Sequence, residues 1–355
     1  MRKSQPHESH FPGRLAVATG LFAVAGAGLA VAGELRHRRS VAGDPTWELL
    51  TSPLAGQVAS VRSADGTELH VEVFGPDAAP TVVLVPGWTE ELQVFDLLTR
   101  DLLGRGFRVV GYDPRGQGSS DWSPGLDQSI ERYGEDVSAV LAATCAGRDD
   151  VIVGGHSMGG MAIVAWAATA DVRAHARAVA LISTAMSGLM DDLGLLPAAI
   201  PLETRRAILT PLLTGDQRML NLSTPVSRAL NRYAMFGPDA TAAHLAFIEP
   251  MIWRMHGKPR AAAARTMGEL DLSAALGRVN VPALVVVGDV DRLTPLVHAR
   301  RIVGGLPEVA EFLVLPRTGH MTPVERPAEL ADALERLAAS VGLEPLGDAT
   351  VEQAA

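Results

Sequence analysis

Three things are scarce in this chain of 355 residues, and each closes off a class of function. A single cysteine, Cys145, admits no internal disulfide. It falls late in a predicted helix with no histidine motif nearby, and reads as a small buried hydrophobe. Cationic excess is missing too: a formal net charge of -9 argues against nucleic acid, whose binding takes clustered cations. The sequence also has no HExxH, no paired CxxC, no dinucleotide fingerprint and no Lys-Ser/Thr pair after its glycines, so neither a metal nor an organic cofactor is implied. What it has in plenty is core, since a hydrophobic content of 47% excludes wholesale disorder.

The N-terminus stands apart. Leu15 to Gly33 runs without a charge between Arg14 and the cluster Glu34, Arg36, Arg38 and Arg39, close to the length a bilayer core requires of a helix. A membrane anchor over 15–33 within an N-terminal segment 1–40 is the favoured expectation. The alternatives are a signal peptide cut near Ala30-Val31-Ala32 and a weakly hydrophobic core helix. Residues 41–57, with Pro45 and Pro53, read as a linker that need not have fixed structure.

From Val58 onward the apolar pattern alternates between short β-branched runs and helical spacing. Val58 to Arg62 and Leu69 to Phe74 flank an Asp65-Gly66 turn, as a hairpin would. Strands are predicted at Thr81 to Val85, Arg108 to Tyr112, Val151 to Gly155, Val179 to Ser183, Ala283 to Val287 and Glu311 to Leu315. Helices fall between them, at Phe95 to Leu103, Ile130 to Ala143, Met158 to Ala170, Pro295 to Val303 and Pro327 to Val341. This rhythm is that of βαβ units and a parallel sheet. It breaks over 187–277, a nearly neutral stretch of proline-punctuated helical pattern with no convincing strand. Met186, Leu189, Met190, Leu193, Leu195 and Leu196 there suit contacts with the main sheet or an apolar pocket. The tail 342–355 reads as loose.

The residues with chemistry gather at Val151 to Gly160, VIVGGHSMGG, where a strand turns abruptly into a helix. Such a turn strains its middle residue and tolerates almost no side chain two residues to either side, which explains Gly155 and Gly159 around Ser157. The Ser157 hydroxyl is pushed above the strand end, and the Met158 N–H is left as a donor for an oxyanion. A serine hydroxyl needs a base, and the base needs an acid to orient it. His320 follows the last strand, and Asp291 follows the strand before it in Gly288-Asp289-Val290-Asp291.

With these motifs the sequence resembles the α/β-hydrolase superfamily over about Val58 to Val341. The resemblance implies a mostly parallel sheet of about eight strands flanked by helices, formed by 58–186 and 278–341, with an inserted helical cap over 187–277. It implies Ser157 as nucleophile, His320 as base and Asp291 as acid, the last through the superfamily's Gly-x-x-Asp pattern, which Asp289 does not match. It also places Asp113 to Ser120 as a loop in which an Asp and an Arg tie turns together. The second oxyanion donor is expected at the Trp88 N–H, in a loop that commonly begins His-Gly. Here it begins Pro86-Gly87, which puts in doubt the hydrogen bonds that usually fix it. The Trp88 ring would wall the pocket or pack under the cap. A serine nucleophile departs from the aspartate of epoxide hydrolases and haloalkane dehalogenases. The expected activity is cleavage of small carboxylic esters through an acyl-enzyme. An amidase, peptidase or acyltransferase would share the triad, and a ligand-binding protein would share the scaffold.

Overall fold

The computed structural model describes residues 33–217 and 223–347. Eight strands form one sheet in the order β1-β2-β4-β3-β5-β6-β7-β8: Gln57–Arg62, Glu68–Phe74, Thr81–Val85, Arg108–Tyr112, Val151–His156, Ala178–Ile182, Ala283–Gly288 and Val309–Leu315 for β1 to β8. The hairpin β1-β2 is antiparallel and joins β4 antiparallel, and every later pairing is parallel. Gly66 takes φ 89° in the hairpin turn, a value that suits the Asp-Gly pair. Strands β3 to β7 are buried along their whole length, because helices cover both faces, whereas edge strand β8 alternates in exposure.

Each face has its own core. On one, the helices Ile130–Thr144 and Met158–Thr169 pack with Val83, Val153 and Val285. On the other, Asp96–Gly104 and Pro327–Ser340 pack with Val82, Ile152 and Leu284. Met158–Thr169 is the most enclosed, with every residue from Met158 to Ala167 buried, so it has no polar face. Cys145 is buried at the end of its helix.

Between β6 and β7 the chain leaves the sheet for the helices Leu189–Asp192, Leu202–Thr214, Pro225–Met235, Ala242–Arg254 and Gly257–Glu269. Of the six apolar residues that open this excursion, Met186 and Leu193 are buried, while Leu189, Met190, Leu195 and Leu196 are half-exposed. They are not all sheet contacts.

Two expectations need correction. Residues 41–57 are not a formless linker: Pro45–Thr51 is helical, Asp44 caps it by accepting from the Thr46 N–H at 2.9 Å, and Val41 and Leu50 are buried. The tail is not loose over 342–347, where Leu343 is buried and the Leu346 N–H donates to the Gly106 carbonyl at 3.0 Å; 348–355 lie outside the described residues. The anchor expected over 15–33 falls outside them except for Gly33. Among the described residues no helix is long and apolar enough to cross a membrane.

The Asp113 to Ser120 loop ties turns together, as expected. Asp113 accepts from the Leu92 N–H at 2.8 Å and the Ser119 N–H at 2.7 Å. Arg115, with no exposed surface, forms two hydrogen bonds to Asp136 at 2.8 and 2.6 Å and two to Asp65 at 2.7 and 3.5 Å. This pins the hairpin turn to the helix Ile130–Thr144. Removing one partner strands a buried guanidinium, so Asp136→Ala is expected to lower unfolding free energy by about 3 kcal/mol or more. Urea denaturation followed by circular dichroism measures it; a loss under about 1 kcal/mol would contradict the assignment.

Candidate active site

The sharp turn at Ser157 is built by exclusion. A Cβ on Gly159 would lie 2.0 Å from the Val85 carbonyl oxygen, and one on Gly155 would lie 2.5 Å from the Gly159 carbonyl. Only glycine lets the helix start so close to the ends of β3 and β5. Ser157 sits between them at φ 51°, ψ -119°, strained backbone for an L-residue. Its N–H donates to the Ile182 carbonyl at 2.9 Å and its carbonyl accepts from Thr184 Oγ1 at 2.7 Å, so neighbouring β6 holds the strained residue in place.

Asp291 and His320, after β7 and β8, come together: Asp291 Oδ2 lies 2.9 Å from His320 Nδ1. Both are buried, at 5% and 4% exposure. Asp289 is exposed and, among the described residues, accepts only from the Thr318 N–H at 3.3 Å, which separates the two candidate acids. Asp191, after β6, pairs instead with Arg206. Asp291 Oδ1 accepts from the Leu293 and Thr294 N–H groups at 2.8 and 2.9 Å, and Thr294 Oγ1 donates to Oδ2 at 2.8 Å. Burial opposes ionisation of Asp291, but His320 and the Thr294 donors outweigh it and hold the carboxyl below its ordinary range. The stability this contributes is present at neutral pH and is lost as pH falls through the lowered value. Among the described residues no hydrogen bond joins the Ser157 hydroxyl to His320, whose Nδ1 faces Asp291 and Thr294.

The Pro86-Gly87 loop is fixed by residues the sequence did not single out. The Gly87 N–H donates to Glu90 Oε2 at 2.5 Å, and the Gly87 carbonyl accepts from Gln117 Nε2 at 3.0 Å. Glu90 also pairs with His156 Nδ1 at 2.9 Å, and His156 Nε2 donates to the His320 carbonyl at 2.8 Å. His156 thus engages both ring nitrogens and joins the Pro86-Gly87 loop to the loop that carries His320. The departure from His-Gly is met by a carboxylate three residues on, and a glutamate that near a Gly turn is the signal that could have shown it. Trp88 donates its Nε1–H to the Arg260 carbonyl at 3.0 Å, so its ring packs under the helix Gly257–Glu269. No group of three or more metal-ligating side chains converges among the described residues.

Burial works against a charged His156, but the Glu90 carboxylate and the His320 carbonyl prevail and raise its pKa. A raised histidine stabilises the fold fully below its unfolded pKa, and that contribution is lost as pH rises through the folded value. Glu90→Gln is expected to bring the His156 titration midpoint down, read from its ring proton shifts in NMR, and to remove that share of the pH dependence of stability. An unmoved midpoint would show that Glu90 does not hold the charge.

Comparison with known proteins agrees with this architecture. The family model described as serine aminopeptidase, S33, matches residues 76–327. A non-heme haloperoxidase of Rhodococcus erythropolis is 28% identical over 269 residues, 73% of this chain and 92% of that protein. A bifunctional esterase/perhydrolase of Acinetobacter calcoaceticus is 26% identical over 272 residues, 74% and 93% of the two chains. Among solved structures, a thermophilic esterase from Thermogutta terrifontis superposes with a TM-score of 0.64 at 23% identity, covering 80% of this chain and 99% of that one. An eight-stranded sheet with this order, a glycine-hemmed serine turn and the S33 match together make the chain a member of the α/β-hydrolase superfamily, in the serine aminopeptidase S33 family.

Proposed function

We propose that this chain is a serine hydrolase that cleaves small carboxylic esters through an acyl-enzyme. The observation that carries the reading is the buried Asp291–His320 hydrogen bond on the sheet edge that also bears the strained serine. In this mechanism Ser157 Oγ attacks the ester carbonyl as His320 Nε2 takes its proton. Asp291, accepting from Nδ1–H, fixes the tautomer that leaves Nε2 free and stabilises the imidazolium that forms. The carbonyl oxygen becomes an oxyanion between the N–H groups of Trp88 and Met158. Collapse expels the alcohol, which takes the proton from His320, and water then repeats the sequence on the acyl group. No cofactor enters any step. Pinning of both sides of the Gly87 peptide supports the Trp88 assignment, since it presets the direction of the following N–H.

The helical excursion over 187–277 is read as a cap, and the half-exposed Leu189, Met190, Leu195 and Leu196 as candidates for an apolar acyl pocket. Amide or peptide cleavage is the second reading, favoured by the description of the matching family model.

Ser157→Ala is expected to lower kcat on 4-nitrophenyl esters by on the order of 10⁴-fold and to abolish labelling by a fluorophosphonate. Esterase activity retained in that variant would sink the assignment. Matched ester and anilide substrates decide between the two readings: a kcat/KM for the anilide equal to or above that for the ester would favour the peptidase.

A further inference from the structure

The loop that carries His320 meets the excursion between β6 and β7 backbone to backbone. The N–H groups of His320 and Met321 both point to the Met235 carbonyl, at 2.7 and 3.2 Å. A Cβ on Gly319 would lie 2.5 Å from the Gly237 nitrogen, and one on Gly237 would lie 2.3 Å from the Arg317 carbonyl oxygen. Into this contact the short helix Thr322–Glu325 sends a carboxylate. Glu325 Oε2 accepts from the Gly237 N–H at 2.8 Å, and Oε1 accepts from the Gly319 N–H at 3.0 Å.

We propose that Glu325 is a positioning residue for the His320 imidazole, a two-pronged clip that fastens the base loop to the Met235–Gly237 turn. This rests on His320 being the base. Gly319 immediately precedes it, so the orientation of the Gly319 peptide sets where the His320 side chain starts. The His320 carbonyl is already held by His156, and the clip fixes the chain on the other side. Both prongs are amide donors, so the clip needs two acceptor oxygens. A glutamine, or a protonated carboxyl, turns a donor toward one of them.

The groups facing Glu325 make this protonation accessible. Burial pushes its carboxyl up to about 7, the two amides and Arg326 pull the other way, and Asp291 adds to the rise. Arg326 is itself engaged by Asp239, which also pairs with Arg317. The folded chain binds this proton more tightly than the unfolded chain does. Protonation between the ordinary value and about 7 therefore costs no stability relative to the unfolded state; what is lost is position.

The test compares wild type, Glu325→Gln and Asp239→Asn on a 4-nitrophenyl ester. Asp239→Asn cuts exposed ion pairs between the same two segments and leaves the clip intact, so kcat and KM should stay within about twofold. Glu325→Gln should lower kcat about tenfold with KM within about twofold, the pattern of a misplaced base. The ratio of wild-type to glutamine-variant kcat should fall from about ten above pH 7 toward one below it, since protonating Glu325 removes the same tenfold. Unchanged kcat in Glu325→Gln, or a ratio that does not vary with pH, would overturn the proposal. So would wild-type amide protection at Gly237 and Gly319 that does not weaken as pH falls through about 7, a reading available even if that variant does not fold. Amide hydrogen exchange at Gly237 and Gly319 tests the clip apart from the chemistry: it should quicken in Glu325→Gln, and unchanged exchange would count against the clip. Activity retained in Ser157→Ala would remove the triad, and the exchange result would still stand or fall alone.

Discussion

The approach of the helix Met158–Thr169 to the ends of β3 and β5 is the constraint on which the rest of the site depends. Gly159 packs against the Val85 and Pro86 carbonyls at distances no Cβ could share, and Gly155 packs against Gly159 itself. That contact forces Ser157 into its positive φ and brings the helix's first N–H groups beside the Pro86-Gly87 loop. It also accounts for the full burial of Met158 to Ala167, since a helix driven this far into the sheet has no side left for water. Backbone strain is thus offset by packing along a whole element rather than by any single bond.

Around the elbow, buried carboxylates do the work that side-chain packing does elsewhere. Glu90, Asp291 and Glu325 each accept backbone N–H groups from a loop that follows a strand of the sheet. A carboxylate offers two acceptor oxygens, and loops are rich in amides without a ladder partner. Each such contact replaces hydration that the amide loses on burial, so three irregular segments stay ordered where regular secondary structure cannot reach. His156 then links two of these loops, Nδ1 to Glu90 and Nε2 to the His320 carbonyl, so the loops after β3 and β8 share one fixed neighbour.

What could be read from the sequence was whatever has a local signature. Strands β3 and β4 have the limits their β-branched runs predict, and Asp291 was separable from Asp289 through the Gly-x-x-Asp pattern that the superfamily resemblance supplied. The elbow was legible because its glycines are a steric requirement within five residues. The helix Pro45–Thr51 was missed although Asp44 and Pro45 form a start signal, because two prolines in a polar stretch were weighed as linker composition. Glu325 and the Gly237–Gly319 contact could not be found that way. Two chain segments far apart in sequence press together there, and a glycine kept small by a distant backbone looks like any other loop glycine.

The contact at Gly319 also bears on how the excursion between β6 and β7 can change. Were it attached only at its two ends, its helices could be lengthened, shortened or exchanged freely. The turn at Met235–Gly237 forbids that, since it supplies the carbonyl that His320 and Met321 donate to and one of the two amides that Glu325 holds. The helix Leu202–Thr214 is held by other parts of the excursion, through Asp191 and Arg265, whereas this turn behaves as part of the sheet edge. A chimera carrying a foreign excursion would have to keep the turn and its glycine, and grafts made without them would lose order in the loop after β8 however well the new helices fold.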